Sequence, residues 1–97
     1  VMDSLRNALE KSSDPKKRVD ILNELAYEFY DFNDSIALGF AQQALREAKQ
    51  AGYKRGEKSA YTMVGTGYLT FAQFDQAFHY LRLSDKIEIA EAMDQAA

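Results

Sequence analysis

Displaced by 40 residues, the chain falls on itself: Ala37 meets Ala77, Leu38 meets Phe78, Ala41 meets Leu81 and Ala44 meets Ser84. The match also runs backwards, with Ser4, Leu5, Arg6 and Ala8 falling on Ala44, Leu45, Arg46 and Ala48. Across the intervening segments the displacement is 39, pairing Leu22 with Tyr61, Leu25 with Val64, Ala26 with Gly65 and Phe29 with Tyr68. One residue has therefore been gained or lost in a turn. A period of this length constrains the fold strongly, because a unit that short cannot bury its own apolar face and must stack on a neighbour. Residues 1–97 read as a single domain: a tail helix of a preceding hairpin at 3–12, a first hairpin at 15–51 and a second at 54–94.

The local patterns specify five helices and no strand. Leu5, Ala8 and Leu9 give residues 3–12 one apolar face behind a capping Asp3. Asp14 and Pro15 restart the chain, an acceptor for free N–H groups followed by a residue suited to the first helical position. A second helix over 15–30 buries Val19, Leu22, Leu25, Ala26 and Phe29. Asp34 or Ser35 caps the third, over 35–51, which repeats Ile36, Ala37, Phe40, Ala41, Ala44, Leu45 and Ala48 and stops at Gly52 in the left-handed conformation. The fourth and fifth span 54–71 and 74–93, and the fifth ends in Ile87, Ile89, Ala90 and Met93, apolar on more than one side.

On these residues the chain resembles the tetratricopeptide repeat family. Tyr61, Val64-Gly65, Tyr68, Ala77, Leu81 and Ser84 follow its order of bulky, large-apolar-then-small, aromatic, small and bulky positions, and Leu22, Leu25-Ala26, Phe29, Ala37, Ala41 and Ala44 repeat it. The period exceeds the family's usual ~34 residues, as in its extended-helix variety. Asp85, where the first copy has Leu45, and Ile89, where a proline often ends a repeat, depart from the pattern. The resemblance implies an all-α fold of antiparallel hairpins stacked as a short right-handed solenoid. It implies a non-enzymatic scaffold or sensory module that binds a protein or peptide segment. The Asp-rich short turn, the Ala-rich second helix and the LNELA opening resemble the N-terminal repeat regions of bacterial signalling proteins, which implies a role in signal transduction.

Composition narrows the chemistry. Twelve Lys and Arg against 15 Asp and Glu give a net charge of -3, without the clustered basic face that counterion release from nucleic acid requires. Lys16-Lys17-Arg18 reads as a solvated helix start. With no cysteine there is no disulfide, thiolate ligand or cysteine nucleophile, and either periplasm or cytoplasm is compatible with that. No apolar run approaches the ~20 residues of a membrane span, so no direct membrane contact is expected. The chain opens at Val1 rather than at an initiator Met, the pattern of a segment cut from a longer protein.

His79, the only histidine, has no partner for a metal site or a relay and reads as a partly exposed structural residue. Glu24 and Glu28, one turn apart, read as a solvated face. Asp31, Asn33 and Asp34 lack the turn glycine and the bidentate glutamate of a calcium loop. Gly65-Thr66-Gly67 lies inside a helix and lacks the third glycine of a nucleotide loop. No catalytic residue, metal or cofactor is expected. Gly65 reads as a close-packing position, whereas Gly67 has no evident reason and should cost ~1 kcal/mol of helix propensity.

In stacked hairpins the first helix of each pair lines the concave side. The expected groove residues are Asp20, Asn23, Tyr27 and Tyr30 from the first such helix and Ser59, Thr62, Met63, Thr66 and Thr70 from the next. A second expectation is an assembly element with no ligand of its own, completed by further repeats or as a homodimer through Ile87, Ile89 and Met93 of the C-terminal helix.

Overall fold

The structure, a computed structural model, describes residues 2–96. It contains five helices: α1 (Met2–Lys11), α2 (Pro15–Phe29), α3 (Asp34–Ala51), α4 (Lys54–Thr70) and α5 (Phe74–Ala96), and no strand among the described residues. Each boundary has a local cause. Asp14 accepts a hydrogen bond from the Lys16 amide at 3.1 Å, with Pro15 opening α2 as expected. Asn33, rather than Asp34 or Ser35, caps α3, accepting from the Ile36 amide at 3.1 Å. Asp3 lies within the first turn of α1 instead of before it, and α5 runs on past Met93 because no breaker follows.

Successive helices pack antiparallel. In the α2–α3 pair, Arg18 at one end meets Glu47 while Phe29 at the other meets Phe40. In the α4–α5 pair, Lys58 meets Glu91 and Tyr68 stacks on Tyr80. The sequence repeat is a repeat of contacts as well: the Phe29 and Phe40 rings are 5.5 Å apart, and their counterparts Tyr68 and Tyr80 are 5.6 Å apart. Beyond these neighbours, α2 also touches α4. The two run parallel, because Asp20 meets Tyr53, Asn23 meets Gly56 and Tyr30 meets Met63, three contacts each spaced 33 residues apart.

The core follows the expected stripes. Val19, Leu22, Leu25, Ala26 and Phe29 of α2, Ala37, Ala41, Ala44 and Ala48 of α3, and Ala60, Tyr61 and Val64 of α4 are buried. Ile36 is an exception, 39% exposed at the start of α3. α5 buries only Ala77 and Ser84. Arg18, expected in solvent with Lys16 and Lys17, instead ties three helices together. Its guanidinium donates to Glu47 at 2.9 and 3.3 Å and to the Leu9 carbonyl at the end of α1 at 3.0 Å. This pairing holds the Glu47 carboxyl below its usual range, the Arg18 hydrogen bond being the main cause.

The one-residue difference between the two copies lies in their turns. Asn33 donates its amide to Phe29, whereas its counterpart Gln73 donates to Tyr68, one residue further back. The added residue is Ala72, left-handed at φ 58°, with its amide on the Leu69 carbonyl. The same double closure follows α3, where the left-handed position is Gly52. An L-residue in that conformation costs ~1–2 kcal/mol, and glycine in its place loses ~0.5–1 kcal/mol of chain entropy on folding. Ala72→Gly should therefore stabilise the chain by ~0.5–1 kcal/mol, raising the thermal midpoint by a few degrees in circular dichroism melts.

Candidate functional site

Helical spacing places Ser59, Met63, Thr66 and Thr70 along one stripe of α4, and Ser59 and Met63 line an open cleft with Lys58, Thr62, Ser84 and Glu88 on the α5 side. Tyr27 is 64% exposed, the most open aromatic of the groove, while Met63, Thr66 and Ser59 are half-buried. Asp20 is exposed and accepts a hydrogen bond from the Tyr53 hydroxyl at 2.8 Å. That bond keeps the Tyr53 phenol protonated to higher pH than usual. From the sequence Tyr53, just after Gly52, is expected to supply the hydrophobic contact of that cap, and its hydroxyl's reach to Asp20 on α2 carries no local signal.

Three of the nine expected groove residues are engaged elsewhere. Asn23 is buried, its side-chain amide donating to the Gly56 carbonyl at 3.2 Å and its Oδ1 lacking a hydrogen-bond partner. It lies beneath the α2–α4 contact because Gly56 brings the α4 backbone against α2: a Cβ there would sit 2.5 Å from Val19 Cγ1. Tyr30 is half-buried and donates to the Met63 carbonyl on the flank of α4. Thr62 turns toward α5, with its hydroxyl 2.8 Å from that of Ser84. Of the expected groove residues, Tyr27, Ser59, Met63, Thr66 and Thr70 are left at least partly exposed without such an engagement across α2–α4 or α4–α5, and Asp20 is exposed with its bond to Tyr53.

Gly67 now has a reason. A Cβ on it would lie 2.6 Å from the Tyr30 hydroxyl oxygen and 2.7 Å from Leu38 Cδ1. Two side chains of the first hairpin thus clamp α4 at a position that has none. The hydroxyls of Thr62, Thr66 and Thr70 donate to the carbonyls one turn back, at 3.3, 2.8 and 3.0 Å. With those protons committed, Thr66 and Thr70 offer the groove acceptor lone pairs rather than donors.

Burial, then the Asp34 charge, pushes the Tyr30 phenol up to about 12, against a smaller opposing pull from the Gly67 amide. A folded-state pKa above the unfolded value of ~10 means that the stabilisation is complete below pH ~10 and is lost as pH rises through about 12. Thermal midpoints should fall across that window, and more gently in Tyr30→Phe, with Tyr53 supplying part of the residual slope. An equal slope in the variant would remove Tyr30 from the account.

Ile89 and Met93 are 58% and 68% exposed on α5, while Ile87 is half-buried over Lys54 at the start of α4. His79 is exposed, edge-on to the Tyr80 ring at 5.2 Å. Among the described residues no three of His, Cys, Asp and Glu are grouped to hold a metal, and no helix is long and apolar enough to cross a membrane. Comparison with protein-family models, with curated proteins and with solved structures found no match for this chain.

Proposed function

We propose that the chain is a non-enzymatic interaction module of the tetratricopeptide type, holding an extended peptide or protein segment in the groove between α2 and α4 and serving a bacterial signalling protein as its sensory or scaffolding part. The observation that carries the groove reading is the pairing of α2 and α4 side by side in a fixed register, with Tyr27 left open on α2 and Met63 half-buried on α4. An open aromatic face and a half-buried methionine favour an apolar ligand side chain, and the threonine acceptors of α4 favour the N–H groups of an extended backbone. The signalling role is supported by the sequence resemblance alone.

The test is selection of binders from a random peptide library with the full chain as bait. Peptides so obtained should lose about tenfold or more in affinity for a Tyr27→Ala, Thr66→Ala double variant, about 1.4 kcal/mol or more, with its melting temperature nearly unchanged. Binders indifferent to both substitutions would refute the groove, and a large loss of stability would mean that these residues belong to the core.

A second reading, self-assembly through α5, is favoured by the exposure of Ile89 and Met93. It predicts a dimer in sedimentation experiments that Met93→Lys disperses. A chain that stays monomeric at high concentration would eliminate it.

A further inference from the structure

The turn between α2 and α3 and the turn between α4 and α5 lie at the same end of the molecule, because α2 and α4 run parallel. The charges there are of one sign. From residue 19 to 45 and from 59 to 81, the stretches that lead into and out of these turns, the sequence has no Lys or Arg. The ion pairs Arg18–Glu47, Lys54–Glu57 and Lys58–Glu91 gather toward the opposite end. Glu28, Asp31, Asp34 and Asp75 surround the two turns, and among the described residues none of them pairs with a cation.

Phenylalanines stand between these carboxylates. Phe32 is 60% exposed in the first turn, and Phe71 and Phe74 are 42% and 55% exposed at the second. A missing neighbour in the stack does not account for them, since the second hairpin already lies against the first and Phe32 is open all the same. Phe71 is the equivalent of Phe32 at the 39-residue displacement, so each turn carries the same feature. Asp34 and Asp75 have a local reason in the first turns of α3 and α5, where a negative charge favours the helix. That reason extends neither to the phenylalanines nor to the lack of any cation along both stretches. The cation that does reach this end, Arg6 of α1, sits on an aromatic face: its guanidinium is 5.2 Å from the centre of the Phe29 ring, against which Phe32 packs at 5.1 Å.

We propose that this end docks a basic segment of a partner protein, with lysine or arginine side chains against Glu28, Asp31 and Asp75 and bulky apolar side chains against Phe32, Phe71 and Phe74. Charge complementarity selects the occupant. Unpaired carboxylates repel nucleic acid and anionic lipid headgroups and attract Lys and Arg, and an open ring face beside a carboxylate favours a cation twice over. The rings supply the apolar burial that charge alone does not. This surface is separate from the groove between α2 and α4 and does not rest on it.

The probe is a short synthetic peptide of alternating arginine and leucine, titrated into the isotope-labelled full chain and followed by NMR. Saturable shifts are expected at Phe32, Phe71 and Phe74, unaffected by Tyr27→Ala with Thr66→Ala, and the affinity should fall as salt is raised. Phe32→Ser with Phe71→Ser should weaken binding about tenfold or more, and so should Asp31→Asn with Asp75→Asn, which decides the matter should the first pair fold poorly. Peptides with glutamate in place of arginine, or glycine in place of leucine, should each bind about tenfold more weakly or worse. Five results would overturn the proposal: no shift at millimolar peptide, shifts that survive either pair of substitutions in a folded variant, equal binding of the glutamate peptide, which would leave apolar association alone, equal binding of the glycine peptide, which would leave charge alone, or the same shifts on raising protein concentration without peptide, which would assign this end to a second copy.

Discussion

Leu22→Ala is expected to lower stability by ~3 kcal/mol, within the ~2–5 kcal/mol span of buried leucine truncations. Leu22 is fully buried and meets Ala44 of α3 and Ala60 of α4, with Leu9 of α1, Phe40 and Leu45 closing around it. It therefore holds four helices at once. Relaxation into the vacancy is limited on two sides, since Ala44 and Ala60 cannot extend and can approach only if their helices move. A chain of 97 residues has ~5–15 kcal/mol in all, so this one change removes a large share. Urea and thermal unfolding measure it directly, with Ile89→Ala on exposed α5 as a control that should cost ~0.5 kcal/mol or less. A loss below ~1 kcal/mol for Leu22→Ala would contradict this packing.

Gly65→Ala should cost ~1–3 kcal/mol even after the ~1 kcal/mol gained in helix propensity. The added Cβ would lie 2.7 Å from Leu81 Cγ, 2.8 Å from its Cδ2 and 3.2 Å from the Ala77 carbonyl oxygen. The Cγ is a branch point rather than a flexible end, and the carbonyl is backbone, so α5 must move away. Truncating the obstacle isolates the cause. In a double-mutant cycle with Leu81→Ala the two changes should couple favourably by ~1 kcal/mol or more. Additive effects would mean that the clash is relieved some other way. Gly67→Ala should be milder, because the atoms it meets, the Tyr30 hydroxyl and Leu38 Cδ1, are the ends of side chains.

These two sites also mark what the sequence makes legible. The stripe containing Leu22 is visible as helical periodicity, and the small residue at 65 as the partner of Ala26 in the earlier copy. The sequence puts Asn23 and Tyr30 among the groove residues because polar atoms beside an apolar stripe ordinarily face water. Their burial depends on the register between α2 and α4, which no local pattern encodes. The reason for Gly67 lies in Tyr30 and Leu38, 37 and 29 residues away, and Arg18 reads as one of three solvated cations because Glu47 lies 29 residues away. Ala72 was hidden differently: alanine carries no turn signal, and its left-handed backbone is imposed by closing the turn around the extra residue.

The register between α2 and α4 also sets a spacing for any ligand that spans both. Contact partners on these helices lie 33 residues apart while equivalent residues lie 39 apart, a difference of six. At ~1.5 Å per residue, equivalent positions such as Tyr27 and Thr66 are therefore offset ~9 Å along the axes. With helices ~9 Å apart, the diagonal between them is ~13 Å. An extended chain covers that distance in about four residues. A segment recognised at both positions would then carry its two matched side chains about four apart in sequence, and the ladder of helices would act as a ruler.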